Sequence, residues 1–182
     1  FEIVYVSGAA ISAARGLPDI GLISLTDMTR EASAIARSVA LPTIVDADTG
    51  YGPPSVVREA VQEFERAGLA GMQIEDQEEA KKCGHLSGKR LIPTADMVAK
   101  ITAAVEAKRD RDFVLVARTD ARTVDGLQAA IQRGVAYANA GADALFPEAL
   151  LSADEFHTFA LEMNRAGVHL PLIANMTEFG KT

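Results

Sequence analysis

The sequence predicts an α/β chain folded as a (β/α)8 barrel of the TIM type, here incomplete. Three observations carry this. Short apolar, β-branched runs alternate with helical patterns along all 182 residues. The runs are nearly continuous in apolar side chains, as parallel strands covered by helices are. Polar residues collect where the runs end, at Ser7, at Asp46 and Asp48, at Glu75 and Asp76, at Arg118 and Asp120, at Glu148 and at Asn175. Barrels build their sites on that C-terminal rim.

Strand-like runs occupy residues 3–7, 43–48, 71–76, 113–119, 144–148 and 170–175. Between the first two, residues 27–39 place Met28, Ala32, Ile35, Ala36 and Val39 on one helical stripe. Residues 55–67 repeat the pattern with Val56, Val57, Ala60, Val61 and Phe64, behind a Pro53-Pro54 pair that suits a helix start. Thr94 reads as the N-cap of a helix carrying Met97, Val98, Ile101 and Val105. Residues 126–140 continue the series, and Ser152-Ala153-Asp154-Glu155 reads as a capping box before Phe156, Phe159, Ala160 and Met163.

A doubly wound open sheet competes with the barrel. No glycine-rich dinucleotide or phosphate motif follows any run, and an open sheet would gather its polar residues at one switch point. The barrel is therefore preferred. A closed barrel has eight strands, so about two are missing. The chain starts at Phe1 inside an apolar run and stops at Thr182 in a loop. Residues 1–182 thus read as a single catalytic barrel domain, a fragment or the ordered part of a longer chain.

A hydrophobic fraction of 48% supplies one sizeable core, and a net charge of −7 argues against nucleic acid as a general partner. No run of about 18 apolar residues predicts a membrane span. The single cysteine excludes an internal disulfide and a Cys/His zinc cluster, and fits a reducing, cytoplasmic setting.

That cysteine, Cys83, lies among Lys81, Lys82, His85 and Lys89. Neighbouring cations favour the thiolate, and Gly84, Ser87 and Gly88 make the stretch read as a mobile loop. Such a loop either closes an acid, base or nucleophile over an anionic substrate or is a basic surface loop with an incidental cysteine. Asp46 and Asp48 end one run at i and i+2, so strand alternation puts both carboxylates on one face, and Glu75 ends the next run. Oxygen ligands without thiol or imidazole suit Mg2+ or Mn2+; capping of the following turns is the plainer account. Arg118, emerging from an apolar run, is either a carboxylate clamp or the partner of Glu148 or Asp120. Ser7-Gly8 offers a hydroxyl and an open amide, or only a tight turn. His157 and His169 read as surface residues, and Tyr51 and Tyr137 receive no role.

Taken in order, Tyr5-Val6-Ser7-Gly8, Val45-Asp46-Ala47-Asp48-Thr49-Gly50-Tyr51-Gly52, Ile74-Glu75-Asp76-Gln77, Lys81-Lys82-Cys83-Gly84-His85, Ala117-Arg118-Thr119-Asp120-Ala121, Phe146-Pro147-Glu148-Ala149 and Ala174-Asn175-Met176-Thr177-Glu178-Phe179-Gly180 resemble the isocitrate lyase/phosphoenolpyruvate mutase superfamily over essentially the whole chain. Within it they look most like the 2-methylisocitrate lyases. The resemblance implies a (β/α)8 barrel in a homo-oligomer, commonly a tetramer, whose last helix is exchanged between subunits. It implies Asp46 as the direct Mg2+ ligand, with Asp48 and Glu75 acting through water and Asp19 as a further acidic residue of the metal site. It assigns Cys83 as catalytic, with Lys81, Gly84 and His85 beside it. It matches Ser7, Gly8, Ala9, Asp46, Gly84, Arg118, Glu148, Asn175 and Thr177 to substrate contacts, and Tyr5 to a catalytic tyrosine near the reacting hydroxyl, where Tyr5 or a metal-linked carboxylate is the candidate base.

The chemistry so implied is a Mg2+-dependent retro-aldol cleavage of 2-methylisocitrate to pyruvate and succinate, with Cys83 protonating the succinate carbanion and Lys81, His85 and Arg118 offsetting its charge. Phe146 stands where isocitrate lyases generally carry tryptophan, leaving room for a methyl group, though one methyl discriminates by only about 1–3 kcal/mol. Glu78-Glu79-Ala80 departs from the hydrophobic or proline-containing stretch that often precedes the loop. A 2,3-dimethylmalate or 2-alkylmalate lyase, an isocitrate lyase and an oxaloacetate decarboxylase are alternatives. Phosphonomutases lack the cysteine loop, and an inactive barrel acting as an interaction subunit is the non-enzymatic alternative.

Overall fold

Five of the six apolar runs form strands in the computed structural model, which describes residues 2–82, 84 and 88–176. They are β1 (Val4–Val6), β2 (Thr43–Asp46), β3 (Gly71–Glu75), β4 (Val114–Thr119) and β5 (Ala144–Pro147). All neighbours are parallel, in the order β1-β2-β3-β4-β5. Each strand lies beside the next one in sequence, without the reversal of order that marks a doubly wound sheet. The sixth run makes a single bridge. Leu145 N donates to Pro171 O at 3.0 Å and Ile173 N to Leu145 O at 2.9 Å. It lies along β5 without lengthening into a ladder.

Six helices accompany the strands: α1 (Gly8–Ala14), α2 (Leu25–Ser38), α3 (Pro54–Arg66), α4 (Thr94–Ala107), α5 (Leu127–Asn139) and α6 (Ala153–Arg165). None of them is long and apolar enough to cross a membrane. Serine side chains cap the starts of α1, α2 and α6. α2 begins before Asp27 because Ser24 caps it, its Oγ accepting from Asp27 N at 3.1 Å and donating to Asp27 Oδ2 at 2.9 Å. Ser152 Oγ likewise accepts from Glu155 N at 3.3 Å. Glu155 departs from the capping box, turning its carboxylate to Leu151 N and to both guanidinium donors of Arg122. Thr94 is the first helical residue instead of the cap; Pro93 occupies that position with no side-chain hydrogen bond. The Gly8-Ala9-Ala10 stretch opens a helix capped by Ser7, where a tight turn was the alternative.

The sheet has two different faces. Toward the helices, Met28, Val57, Phe64, Met72, Ile101, Leu115, Leu145 and Phe159 belong to one buried cluster. On the other face Ile44, Val116, Ala144 and Phe146 form a second, smaller cluster. In-register residues of a parallel ladder share a face, so Tyr5 beside Ile44, Asp46 beside Gln73 beside Val116, and Glu75 beside Arg118 beside Phe146 line the concave side. That side is apolar toward the N-terminal ends of the strands and charged at the other end, as a barrel interior opening onto its rim is.

Gly71 shows how closely β3 and β4 approach: a Cβ there would stand 2.5 Å from Val114 O. Gly71→Ala is therefore expected to destabilise the fold by about 1–3 kcal/mol through overpacking, read from the denaturant midpoint. An unchanged midpoint would contradict the packing described.

Candidate active site

β2 ends at Asp46, and the next three residues turn sharply. Asp48 has φ 46° and Gly50 φ 89°, followed by Tyr51 at φ 64°. Strand alternation therefore does not extend to Asp48, contrary to the i, i+2 expectation; a left-handed turn brings its carboxylate back beside Asp46. Asp46 accepts from Gly8 N and from Asp48 N, both at 3.1 Å. The buried Lys100 of α4 holds the turn from behind, Nζ donating to Thr49 O at 2.8 Å. The remaining non-glycine residues with positive φ are Ala80, before Lys81, and Ala149, after Glu148. Among the described residues, non-glycine backbone strain is confined to this rim, as it tends to be at functional sites.

Three cations are threaded among the carboxylates. Lys81, 5% exposed, reaches Asp19 at 2.5 Å and Asp48 at 2.8 Å. Arg118 forks onto Asp120, Nε at 2.9 Å and Nη2 at 3.0 Å, with Glu75 and Glu148 each 3.3 Å away. Its guanidinium lies 5.2 Å from the Phe146 ring centroid. Of the two sequence readings of Arg118, the ion pairs are present, and the residue also faces the cavity. Lys89 Nζ donates to Asp120 Oδ1 at 2.7 Å and to Gly84 O at 2.6 Å.

Part of the basic loop is bonded to the rim. Its described residues are tied at Lys81, at Gly84 through Lys89, and at Lys82, whose backbone N and O both pair with the Gln77 amide. Lys81 and Lys89 are engaged by carboxylates, so neither is available as a bare charge. Gly84 packs so closely that a Cβ would overlap Arg118 Nη2 and stand 2.6 Å from Glu148 Cδ. Cys83, His85 and Thr177 lie outside the described residues.

A cavity of about 520 Å³ opens between these groups. It is lined by Tyr5, Ser7, Ala9, Asp19 and Asp46 from the first two strands and their loops, by Lys81, Gly84, Arg118, Glu148 and Asn175, and by the apolar Ile44, Phe146 and Ile173. Asn175 Nδ2 lies 3.4 Å from both Glu148 oxygens. Glu75 is buried behind Arg118, and Asp48 faces a neighbouring cavity on the far side of Lys81.

Burial and the adjacent Asp46 push Asp48 up to about 6. Burial also raises Glu75 well above the carboxylate range, with Arg118 opposing. Burial, then the charge of Asp46, raise Tyr5, so its phenol stays protonated. Burial opposes the charge on Lys81, but Asp48 and Glu75 outweigh it and its pKa stays above the usual ammonium value.

The residues fit a hard divalent cation. Gly8 leaves a cradle, because the point where its Cβ would sit is 3.1 Å from Asp46 Oδ2 and 3.2 Å from Asp48 Oδ1. Asp48 Oδ1 is buried and accepts no well-directed hydrogen bond, although Lys81 Nζ stands within ion-pair distance. The donors are all oxygens, the set Mg2+ or Mn2+ prefers. Among the described residues no group of three or more His, Cys, Asp or Glu is arranged to hold a metal alone.

Sequence reasoning missed the layer beneath. Asp76, fully buried, accepts from Thr119 Oγ1 at 2.8 Å, Asp120 N at 2.9 Å, Tyr137 Oη at 2.7 Å and Arg133 Nη1 at 3.2 Å. Lys100 was detectable as a lysine interrupting the Met97, Ile101, Ala104 stripe. Tyr137 gave no signal of its own.

The phosphoenolpyruvate phosphomutase family model matches residues 1–180. The chain is 53% identical over 182 residues to "Probable 2-methylisocitrate lyase 2" of Corynebacterium glutamicum, covering 100% of this chain and 58% of that protein. It is 54% identical over 182 residues to the 2-methylisocitrate lyase of Aeropyrum pernix, covering 100% of this chain and 57% of that protein. The chain thus spans less than two thirds of these relatives. The crystal structure of 2,3-dimethylmalate lyase, a PEP mutase/isocitrate lyase superfamily member, superimposes with a TM-score of 0.92 at 38% identity, covering 100% of this chain and 60% of that one.

Gly8→Ala fills the cradle while adding a good helix former to α1. It is expected to weaken Mn2+ binding, measured by calorimetry, at least about tenfold, or 1.4 kcal/mol, without lowering the melting temperature. Unchanged Mn2+ affinity would remove Asp46 and Asp48 as the cation site.

Proposed function

The chain belongs to the phosphoenolpyruvate phosphomutase family, within the phosphoenolpyruvate mutase/isocitrate lyase superfamily, and from that premise we propose that residues 1–182 are the catalytic barrel domain of a Mg2+-dependent carbon–carbon lyase cleaving 2-methylisocitrate to pyruvate and succinate. One observation carries the reading: a single cavity brings Asp46, Lys81, Gly84, Arg118 and Asn175 together with the apolar Ile44, Phe146 and Ile173. Carboxylate-binding groups, an oxygen-rich cation cradle and the neighbour of Cys83 thereby face one small volume.

The substrate is a trianion entering a rim already rich in carboxylates, so it needs a cation beyond Lys81 and Arg118. Asp46, with Asp48 and Glu75, would hold Mg2+, which when bound would supply Lewis acidity toward the substrate hydroxyl and the developing 2-oxo acid. Asp19 acts through Lys81, keeping its ammonium against Asp48. Arg118, Asn175, Ser7 and the backbone at Gly8, Ala9 and Gly84 hold substrate carboxylates, joined by Glu148 and Thr177 as polar contacts. Tyr5 stays protonated and serves as a hydrogen-bonding group near the hydroxyl, whose proton passes to a rim carboxylate as the carbon–carbon bond breaks. Cys83, in the thiol form, delivers its proton to the succinate carbanion, and Lys81 and His85 offset that carbanion's charge. Ile44, Phe146 and Ile173 accept the methyl group. The same apolar residues suit 2,3-dimethylmalate, and the fit to a 2,3-dimethylmalate lyase structure keeps that substrate as the second reading. The reading carries with it a homo-oligomer and a cytoplasmic setting.

The test presents methylisocitrate, isocitrate, dimethylmalate and oxaloacetate side by side in coupled assays. Methylisocitrate is expected to have the highest kcat/KM; faster turnover of dimethylmalate would select the second reading. EDTA is expected to abolish turnover and Mg2+ to restore it, and activity that survives chelation would eliminate the cation's role. Cys83→Ser is expected to keep substrate affinity while kcat falls at least about a hundredfold; a variant as fast as the parent would remove the general-acid assignment.

A further inference from the structure

Gln73 sits in the middle of β3, on the concave side, in register with Asp46 on β2 and Val116 on β4. Along the same face Ile44, Val116 and Ala144 form an apolar cluster, while Asp46 stands beside Gln73 in register. The side chain is fully buried and its Nε2 has no hydrogen-bond partner. An amide so placed costs stability that an apolar side chain of the same length would not. Its one side-chain bond runs to the site: Tyr5 Oη donates to Gln73 Oε1 at 2.5 Å. That distance suits an O–H···O bond, with Tyr5 donating and Gln73 Oε1 accepting.

We infer that Gln73 is a positioning residue: by accepting the Tyr5 hydroxyl proton, it turns the lone pairs of Tyr5 Oη toward the cavity as an acceptor for the hydroxyl of a 2-hydroxy acid. Tyr5 lines the cavity and Gln73 does not, so the amide acts through the phenol. The protonated state of Tyr5 agrees, since a neutral phenol has one proton to give and Gln73 takes it. The inference deepens the lyase reading and rests on it. It predicts discrimination between a 2-hydroxy acid, which has a proton to donate to Tyr5, and an oxo or di-oxo acid, which has none.

The experiment measures calorimetric binding of malate and of oxalate, each with saturating Mg2+, to the parent, Gln73→Met, Gln73→Glu, Tyr5→Phe and the double variant Gln73→Met/Tyr5→Phe. Gln73→Met is expected to weaken malate about tenfold and oxalate less than about twofold, the scale of one lost hydrogen bond. It should melt no lower than the parent, because an unpaired amide has gone. Tyr5→Phe should match it, and the double variant should lose no more than either single change. Gln73→Glu keeps an acceptor and should bind malate within about threefold of the parent. Equal losses for malate and oxalate, multiplied losses in the double variant, or failure of Gln73→Glu to rescue would each overturn the assignment. A parent that binds neither acid would overturn the lyase reading and this inference together. A parent that binds malate, with Gln73→Met unchanged, would overturn this inference alone.

Discussion

Crowded carboxylates at one buried rim set the terms for the rest of the molecule. Asp19, Asp46, Asp48, Glu75, Asp120 and Glu148 converge there, and Lys81, Lys89 and Arg118 are the cations shown paired with them. Ions removed from water are tolerated only when paired and hydrogen-bonded, so every one of these cations has a carboxylate partner. Lys81 bridges two carboxylates and Arg118 contacts three. Even so, burial leaves Asp48 and Glu75 with raised pKa values. Such a cluster is a poor way to stabilise a fold and a good way to hold a divalent cation beside a polyanion.

Keeping charges in register requires a stiff support, and Asp76 supplies it. Through Thr119, Tyr137, Arg133 and the Asp120 amide it ties β3, β4 and α5 together directly beneath the rim. Asp120 then orients Arg118 on one side and Lys89 on the other. Lys89 in turn holds Gly84 against Arg118 and Glu148. The cations are thereby fixed before any ligand arrives, the condition under which electrostatic stabilisation is strongest. Lys100 does the same for the strained turn carrying Asp48.

Much of the fold was legible because its signals are local. Apolar runs marked the five strands to within two residues, and the helical stripes marked α2 to α6 but not α1. The misplacements have particular causes. Ser24 and Asp27 exchange two hydrogen bonds ahead of the stripe, so α2 starts earlier than its first apolar residue. The run over residues 170–175 pairs only with β5 and makes one bridge. Asp48 was expected to share a face with Asp46 by strand alternation; the two are close, but a left-handed turn is the reason. Gln73 and Tyr137 were invisible because a polar residue in an apolar element announces nothing about its partner.

What the sequence determined by itself is the list of elements and the inventory of chemistry: parallel strands ending in carboxylates, an arginine leaving an apolar run, and one cysteine among cations. Those follow from residue type and spacing along the chain. Tertiary structure decided how that inventory is allotted. Lys89 belongs to Asp120 and the Gly84 carbonyl, Lys81 stands between Asp19 and Asp48, and the Tyr5 proton points at Gln73. Each is a contact between distant segments, fixed within a few tenths of an ångström by sheet register and side-chain burial, and the strength of a charge or hydrogen bond depends on that distance.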